Sequence, residues 1–309
     1  MTTTASSPRA LAAPTAPRRL ARRMAHYVEE ARPSIQLVFT LCLVTGAGLG
    51  DGPHWWHSWH QSGRVALALL ACYVGVLAIY LTNGAMDAVG DQLNGLGRPM
   101  ARGDLTRTSA LRAAWVCAVL AAAIGAAAGL WVLLPVLACL ALGYAYSVPP
   151  IQLNRTSTGT VSVMILGSVL TFLAGNAAGG APLTAAVIAP TLGVSLWMGL
   201  VGALVKDLSD IEGDRAAGRR TLAARDERLA RRVIATIAVT LGAGFLTAAA
   251  LTAHDLLLPA AVMQVGGIAV AYCLATTRSQ DDRSRSRLPY RAFMATLLLV
   301  PALLLFHVN

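Results

Sequence analysis

Residues 65–83 read VALALLACYVGVLAIYLTN, nineteen positions without a charged side chain. A helix of this length crosses the roughly 30 Å of hydrocarbon in a bilayer. Because a bilayer offers no water to unpaired backbone groups, and because the run is apolar throughout rather than alternating, it favours a helix over a barrel strand. Eight further runs are predominantly apolar and have a similar length, about 17–25 residues: 33–50, 109–128, 130–147, 159–178, 183–205, 232–252, 256–276 and 289–306. The sequence therefore predicts an all-α integral membrane protein with nine transmembrane helices in a bundle.

The composition points to the same class of protein. Of the 309 residues, 56% are hydrophobic and only 13% are charged, and the mean hydropathy is +0.59. That leaves too little polar surface to cover a soluble globule of this size. The first 31 residues are rich in Ala, Thr, Pro and Arg and lack the apolar core of a signal peptide. We expect residues 1–31 to form a disordered basic cytosolic tail and residues 32–309 to form the membrane domain.

The placement of arginine predicts the orientation of the bundle. The N-terminal segment and every second connection between the runs carry nearly all the cations, whereas the alternate connections carry only Arg64. Since basic segments stay on the cytoplasmic side, we expect a cytoplasmic N-terminus in a bacterial cell membrane. The net charge of +10 is spread over these membrane-flanking segments. We therefore expect the partner to be the lipid bilayer and not a nucleic acid.

Two sets of polar residues lie at the ends of two apolar runs. Each residue of the second set follows its counterpart in the first set by 123 positions. Residues spaced i, i+4 and i+8 turn by only about 40° per step, so each set should line one face of its helix. Both helices are predicted to run toward the cytoplasm, which places both sets on that side. The sets are Asn83, Asp87 and Asp91 in the first copy, and Lys206, Asp210 and Asp214 in the second, where Asp207 is also available.

Oxygen ligands without His or Cys suit a hard divalent cation, and Mg²⁺ binds through a few carboxylates together with substrate phosphates. Breaking a carbon–oxygen bond to diphosphate requires the charge of the leaving group to be neutralised. Nearby Arg residues and Lys206, the only lysine in the chain, would hold the phosphates. These acids could instead begin solvated loops. The repeated register and the position beside spanning segments favour a magnesium and diphosphate site.

The residues around both sets resemble the UbiA superfamily of intramembrane prenyltransferases. Residues 83–91, NGAMDAVGD, resemble the first Asp-rich motif of that superfamily, and Gly97-Arg98-Pro99 follows as usual. Residues 206–215, KDLSDIEGDR, resemble the second motif, with Thr221-Leu222 beyond it. Arg32-Pro33 and the stretch 144–150, YAYSVPP, also match. The resemblance covers roughly residues 30–305, and the two motifs together are highly specific.

The resemblance implies nine helices around a central cavity and two Mg²⁺ ions that bridge both motifs to an isoprenyl diphosphate. The acceptor then attacks the allylic carbocation. The implied metal ligands are Asn83, Asp87, Asp91, Asp207, Asp210 and Asp214, of which Asp87, Asp91, Asp210 and Asp214 are the catalytic carboxylates. The implied diphosphate contacts are Arg98, Lys206, Arg215 and Arg155, the last preceded by Asn154 where the superfamily usually has Lys. Tyr146 is either an interfacial anchor or a group that stabilises the cation.

Three functions remain open at this point. The first is a Mg²⁺-dependent prenyltransferase acting on an isoprenyl diphosphate and a small aromatic acceptor, because the second motif resembles members that act on homogentisate-like aromatics and chlorophyllide. The second is a membrane terpene cyclase that needs no acceptor. The third is an ion-coupled transporter, although transporter sites lie near the middle of the membrane. The sequence leaves the oligomeric state undetermined.

Overall fold

The computed structural model describes residues 16–49, 58–278 and 281–307, which form helices joined by short loops, and the β structure within them is one isolated bridge between Thr156 and Arg220. Eight helices are long and apolar enough to cross a membrane. They are α3 (Trp59–Leu93), α5 (Arg107–Ala128), α6 (Leu130–Ser147), α7 (Ser157–Gly179), a continuous helix Ala185–Leu208, α12 (Glu227–Thr252), α13 (Leu257–Thr276) and α15 (Leu288–His307). The predicted all-helical membrane fold is confirmed.

The ninth predicted span corresponds to a shorter helix. Helix α2 (Pro33–Gly48) is apolar but has 16 residues, which gives a length of about 24 Å. That is less than the roughly 30 Å of hydrocarbon. The described residues therefore contain eight spans of full length and one apolar helix that is shorter, and the prediction of nine full spans and of their orientation stays a prediction.

The predicted disordered tail is wrong over its second half. Residues 16–30 form helix α1 (Ala16–Glu30), and its end is held against the rest of the protein. Glu30 is buried, and its Oε2 accepts a hydrogen bond from the Met100 amide at 3.0 Å. The composition of the segment does not reveal these tertiary contacts with α4 (Pro99–Arg102). Residues 1–15 lie outside the described part of the chain.

The most extensive helix–helix contacts are those of α3 with α5, α12 with α13, α2 with α7, and α13 with α15. The pair of α2 and α7 approaches most closely at glycine. A Cβ atom added to Gly175 would overlap the carbonyl oxygen of Leu43. Small residues at such positions let two backbones come together without an intervening side chain. This contact fixes α2, whose first residues lie beside the polar end of the bundle.

Helices α5 and α6 are joined by Gly129 alone, as the nearly continuous apolar sequence predicted. Gly129 has φ of 122°, a region that favours glycine. Arg64, the only cation in the connections predicted to lie away from the cytoplasm, is at this end of the bundle. Its Nε donates to the Ala128 carbonyl at 3.2 Å, and its Nη2 donates to the Ala177 carbonyl at 2.8 Å. Arg64 thus satisfies carbonyl groups where two helices end.

The helix Ala185–Leu208 is not uniform. It consists of α8 (Ala185–Leu196), a π-helical segment (Trp197–Ala203) and α9 (Leu204–Leu208). It stops before Asp210, which occupies the N-cap position of the next short helix, α10 (Ile211–Ala216), without a capping hydrogen bond from its side chain. The second polar set therefore does not lie on one helical face, contrary to the prediction. The backbone of Asp210, with φ of −118° and ψ of 12°, is not helical and turns the chain between the two helices.

Candidate functional site

A chamber opens at the end of the bundle where both polar sets lie. Polar residues line the mouth, and apolar side chains from α2, α3, α6, α7 and α15 line the interior. On α3 the lining extends from Asp91 back to Ala71, which is about 30 Å along the helix. The chamber therefore joins a charged mouth to a deep apolar interior.

The first polar set lies on one continuous helix, as predicted. Asn83, Asp87 and Asp91 all line the chamber from α3, and Asn83 and Asp91 are buried. The Asn83 side-chain amide donates to Asp87 Oδ2 at 2.9 Å. Asp91 forms an ion pair with Arg98, which begins α4 and also lines the chamber.

Arg219 connects the two polar sets. Its Nη2 lies 2.5 Å from Asp87 Oδ1, and its Nη1 lies 3.1 Å from Asp214 Oδ1. Asp214 is almost completely buried and also accepts a hydrogen bond from Thr221 Oγ1 at 3.2 Å. One guanidinium group therefore contacts an acid from each motif. Sequence reasoning did not assign Arg219 to the site.

The turn that follows α10 brings Arg219 back to the site. Gly218 has φ of 65°, and left-handed glycines commonly end helices in this way. The Arg219 amide donates to the Asp214 carbonyl at 2.8 Å, and the Gly218 amide donates to the Arg215 carbonyl at 3.1 Å. This pair of bonds is the Schellman pattern. A glycine four residues after Asp214 was a signal in the sequence that could have located Arg219.

The remaining members of the second set lie in different places. Lys206 Nζ lies 2.9 Å from Asp210 Oδ2, and both residues line the chamber. Asp207 is buried, accepts a hydrogen bond from Ser157 Oγ at 3.2 Å, and is not among the residues that line the chamber. The structure thus brings Lys206, Asp210 and Asp214 together with the first motif and places Asp207 against the start of α7.

A backbone contact holds the two motifs in register. Asn94 caps the end of α3, and its Oδ1 accepts a hydrogen bond from the Gly213 amide at 2.8 Å. Both residues line the chamber. The bond joins the residues just after the first motif to the middle of the second. Asn94 was not predicted as a site residue, because its partner is 119 positions away in sequence.

Arg32 is a further cation at the mouth. It has φ of 53° and ψ of 83°, a left-handed conformation that is uncommon for a residue other than glycine. Its guanidinium lies 4.8 Å from the centre of the Tyr80 ring, and Nη2 lies 3.4 Å from Asn83 Oδ1. Its Nε is buried and has no hydrogen-bond partner among the described residues. Strained backbone with an unpaired buried donor is typical of a ligand-binding position.

Two of the predicted diphosphate contacts lie outside the chamber. Arg215 is exposed, and its Nε donates to the Ala224 carbonyl at 2.9 Å. Arg155 is exposed, and its carbonyl accepts a hydrogen bond from the Arg220 amide at 2.7 Å. Neither arginine is among the chamber residues, whereas Tyr146 is buried and does line it.

The pKa values of Asp210 and Asp214, the two chamber acids of the second motif, are shifted in opposite directions. Burial would raise the pKa of Asp210, but the charge and hydrogen bond of Lys206, together with the charges of Arg98 and Arg32, outweigh burial and hold that pKa below its usual value. Burial raises the pKa of Asp214 despite the charges of Lys206 and Arg219. Burial opposes the charge on Arg219, but the charges of Asp87 and Asp214 and the Asp87 hydrogen bond together outweigh burial and raise the pKa of the guanidinium. Arg219 is therefore permanently charged.

The chemistry of these residues fits Mg²⁺ and diphosphate. Among the described residues, no three Asp, Glu, His or Cys side chains cluster closely enough to hold a metal ion by themselves. The four chamber carboxylates instead alternate with Arg98, Arg219 and Lys206. Mg²⁺ typically takes one or two carboxylates and completes its coordination with phosphate oxygens and water. The unpaired Nε of Arg32 suits an anion that would arrive with the metal.

Comparison with known proteins identifies the family. The sequence profile of the UbiA prenyltransferase family matches residues 37–297. The chain belongs to this family. The match includes both polar sets, and it confirms the resemblance seen in the sequence.

Individual UbiA relatives match over part of their length. The chain is 34% identical over 171 residues to homogentisate phytyltransferase from a Synechocystis strain. The aligned region covers 50% of this chain and 52% of the relative. It is 36% identical over 195 residues to digeranylgeranylglyceryl phosphate synthase from Halobacterium salinarum. The aligned region covers 63% of this chain and 67% of that relative. The chain thus spans about half the length of the phytyltransferase.

The solved structures share the UbiA fold. The structure of a UbiA homologue from Archaeoglobus fulgidus bound to GPP and Mg²⁺ superposes with a TM-score of 0.67 at 20% identity. The superposition covers 91% of this chain and 99% of that protein. A structure of digeranylgeranylglyceryl phosphate synthase gives a TM-score of 0.65 at 15% identity, with coverage of 93% and 99%. At these identities, the similarity establishes the fold.

Proposed function

We propose that this chain is a Mg²⁺-dependent membrane prenyltransferase that transfers an isoprenyl group from a prenyl diphosphate to a small acceptor. The observation that carries the proposal is the contact of Arg219 with both Asp87 and Asp214 at the mouth of an apolar chamber. Acids from both motifs and their cations meet where a diphosphate would lie when its chain occupies the interior.

The side chains at the mouth would bind and orient the leaving group. Arg32, Arg98 and Arg219 can donate to phosphate oxygens in pairs, and Lys206 adds a compact charge. When bound, Mg²⁺ would neutralise charge that develops on diphosphate as the carbon–oxygen bond breaks. The residues that would hold it are Asn83, Asp87, Asp91, Asp210 and Asp214, which all line the mouth. Asp207 does not line it, so we assign it a supporting role through Ser157.

The interior would protect the allylic cation. Apolar residues line the chamber below the charged mouth, and they exclude water that would otherwise quench the cation. The rings of Tyr80, Tyr146 and Tyr290 also line the chamber. Aromatic faces stabilise positive charge by roughly 0.5–2 kcal/mol each, depending on how far they are desolvated. We assign Tyr146 this role in addition to any contact at the membrane interface.

We propose an aromatic acceptor. The similarity to homogentisate phytyltransferase supports this choice. The similarity to digeranylgeranylglyceryl phosphate synthase supports a polyol phosphate instead, so both acceptor classes belong in the test. The acceptor would attack the cation carbon and then lose a proton. We further propose that the mouth faces the cytoplasm, on the strength of the arginine distribution.

The test uses membranes that contain the full chain. They are supplied with Mg²⁺ and isoprenyl diphosphates of increasing length, with or without phenolic acids or polyol phosphates, and products are identified by mass spectrometry. We expect prenylated phenol and diphosphate release that depends on the acceptor. Cyclic hydrocarbon or alcohol formed without acceptor would show a terpene cyclase instead. Prenylation of the polyol phosphate alone would overturn the aromatic assignment.

Two variants and a control make the test specific. Asp87→Ala and Asp210→Ala should each abolish diphosphate release, because each removes a chamber carboxylate. Asp255→Asn is the matched control, since Asp255 is exposed and lies beyond the opposite end of α12. It should retain wild-type activity. Diphosphate release that persists in both Ala variants would exclude the prenyltransferase and the cyclase together. A transporter is not favoured, because these acids crowd one end of the chamber.

A further inference from the structure

Helix α1 carries an exposed apolar stripe. Leu20, Met24 and Val28 are 64%, 54% and 41% exposed, respectively. Their spacing of four residues keeps them within about 80° of one another around the helix. No described residue covers this stripe. An exposed row of large apolar side chains on a helix needs a partner of low polarity.

The opposite side of α1 is polar and fixed to the protein. Glu29 lies about 180° around the helix from Leu20 and makes two contacts with Arg102, at 2.7 and 3.0 Å. Glu30, one residue later, accepts from the Met100 amide. Tyr27 lies beside the stripe, about 20° around the helix from Leu20, and packs against the cluster that contains Ala85 and Met100. These contacts hold the end of α1, so the apolar stripe has a defined direction.

The charge of α1 identifies the partner. The sequence of the helix has four arginines between positions 18 and 23, and its only acids are Glu29 and Glu30, which the preceding contacts already engage. Arg22 and Arg23 are exposed. A helix with an apolar stripe and arginines on the other faces is typical of one that lies in a membrane interface. Basic residues at that depth attract anionic lipid headgroups.

We propose that α1 lies on the bilayer that surrounds the bundle, with Leu20, Met24 and Val28 in the acyl boundary and Arg22 and Arg23 on anionic headgroups. The helix is attached at the end of the bundle that holds the chamber mouth, through α4, so it lies at the level of one membrane surface. A second copy of the chain is a poorer partner, because two such helices would bring the exposed Arg22 and Arg23 of both copies together. This inference does not depend on the proposed enzymatic activity.

The experiment measures whether a water-soluble maleimide reaches α1 in the full chain. Met24→Cys places a thiol in the stripe, and Arg22→Cys is the matched control on the polar side. Both positions are exposed, so neither change disturbs packing. The proteins are reconstituted in vesicles of phosphatidylcholine alone or with about 30% phosphatidylglycerol. Labelling of the wild-type chain, which has five cysteines, is subtracted.

We expect the Met24→Cys thiol to react about tenfold more slowly than Arg22→Cys in phosphatidylglycerol vesicles, and less slowly in phosphatidylcholine. Arg22→Gln with Arg23→Gln in the Met24→Cys background should restore its labelling. Equal rates at both thiols would overturn the proposal, as would protection that is the same in both lipids. Protection that rises with the ratio of protein to lipid would show that a second copy covers the stripe, and would also overturn it.

Discussion

The Asn94 side-chain oxygen lies 2.8 Å from the backbone amide of Gly213, so one hydrogen bond ties the end of the first motif to the second. The bond is partly buried and spans 119 positions of sequence. It sets the distance between α3 and α10 independently of the charged side chains. The alignment of the two motifs therefore rests on a neutral contact as well as on ion pairs.

Asn94→Ala should lower kcat/KM for prenyl transfer by about tenfold, because the Gly213 amide loses its acceptor and the motifs lose their register. Steady-state kinetics in membranes measure this change. Gln92→Ala is the control, since Gln92 is exposed two residues earlier, and its kinetics should match wild type. A normal kcat/KM in Asn94→Ala would mean that the ion pairs alone align the motifs.

Arg219→Gln should raise the KM for prenyl diphosphate and lower kcat/KM by roughly 10- to 150-fold, the equivalent of about 1.5–3 kcal/mol for a hydrogen bond to a charged group. The variant leaves Asp87 and Asp214 without their shared cation. Arg228→Gln, at an exposed position on α12, is the control for loss of one positive charge. If both variants lose activity equally, the effect is one of net charge and not of the bridge.

Glu30→Gln should stabilise the protein at pH 8 and have little effect at pH 4. Burial raises the pKa of Glu30 above its usual 4.5. The folded state therefore favours the protonated carboxyl, and a cost of burying its charge appears as the pH rises through the folded pKa. Gln keeps an oxygen for the Met100 amide and carries no charge. Thermal unfolding in detergent at both pH values tests this, and destabilisation at pH 8 would show that Arg98 and Arg32 already compensate the charge.

Gly175→Ala should destabilise the protein by about 1–3 kcal/mol, because its Cβ would overlap the Leu43 carbonyl and push α2 from α7. Gly244→Ala is the matched control. Gly244 also lies within a helix, but an added Cβ would meet no atom within 4 Å, so the change should be neutral or stabilising by up to about 1 kcal/mol. Unfolding in mixed micelles gives both values. Equal stability of the two variants would contradict a tight contact at Gly175.

The sequence was sufficient for the features that depend on local pattern. Length and apolarity located the spanning helices, and the four-residue spacing placed Asn83, Asp87 and Asp91 on one face of α3. The equal spacing of the second set was misleading, because the helix ends before Asp210 and the motif continues on α10. Spacing reports side-chain direction only where the backbone stays helical.

Features that depend on tertiary contacts could not be predicted in this way. Arg32 reaches the chamber through a left-handed backbone conformation, which the following proline does not favour. Helix α1 looked like a disordered tail by composition, but Glu30 and Tyr27 anchor it. Asn94 and Gly213 are adjacent only after α3 and α10 have packed. In each case the missing information was the identity of a distant partner.

The π-helical segment Trp197–Ala203 determines which side chain of the second motif enters the chamber. A π turn closes over one more residue than an α turn. If the segment wound as a regular α-helix, the residues beyond it would rotate by about 100° around the helix axis. Each of them would then occupy the place that the next residue in the sequence now holds. Val205 would then point into the mouth, and Lys206 would occupy the place where Asp207 now meets Ser157. The only lysine of the chain thus owes its position beside Asp210 to a local widening of the helix one turn earlier.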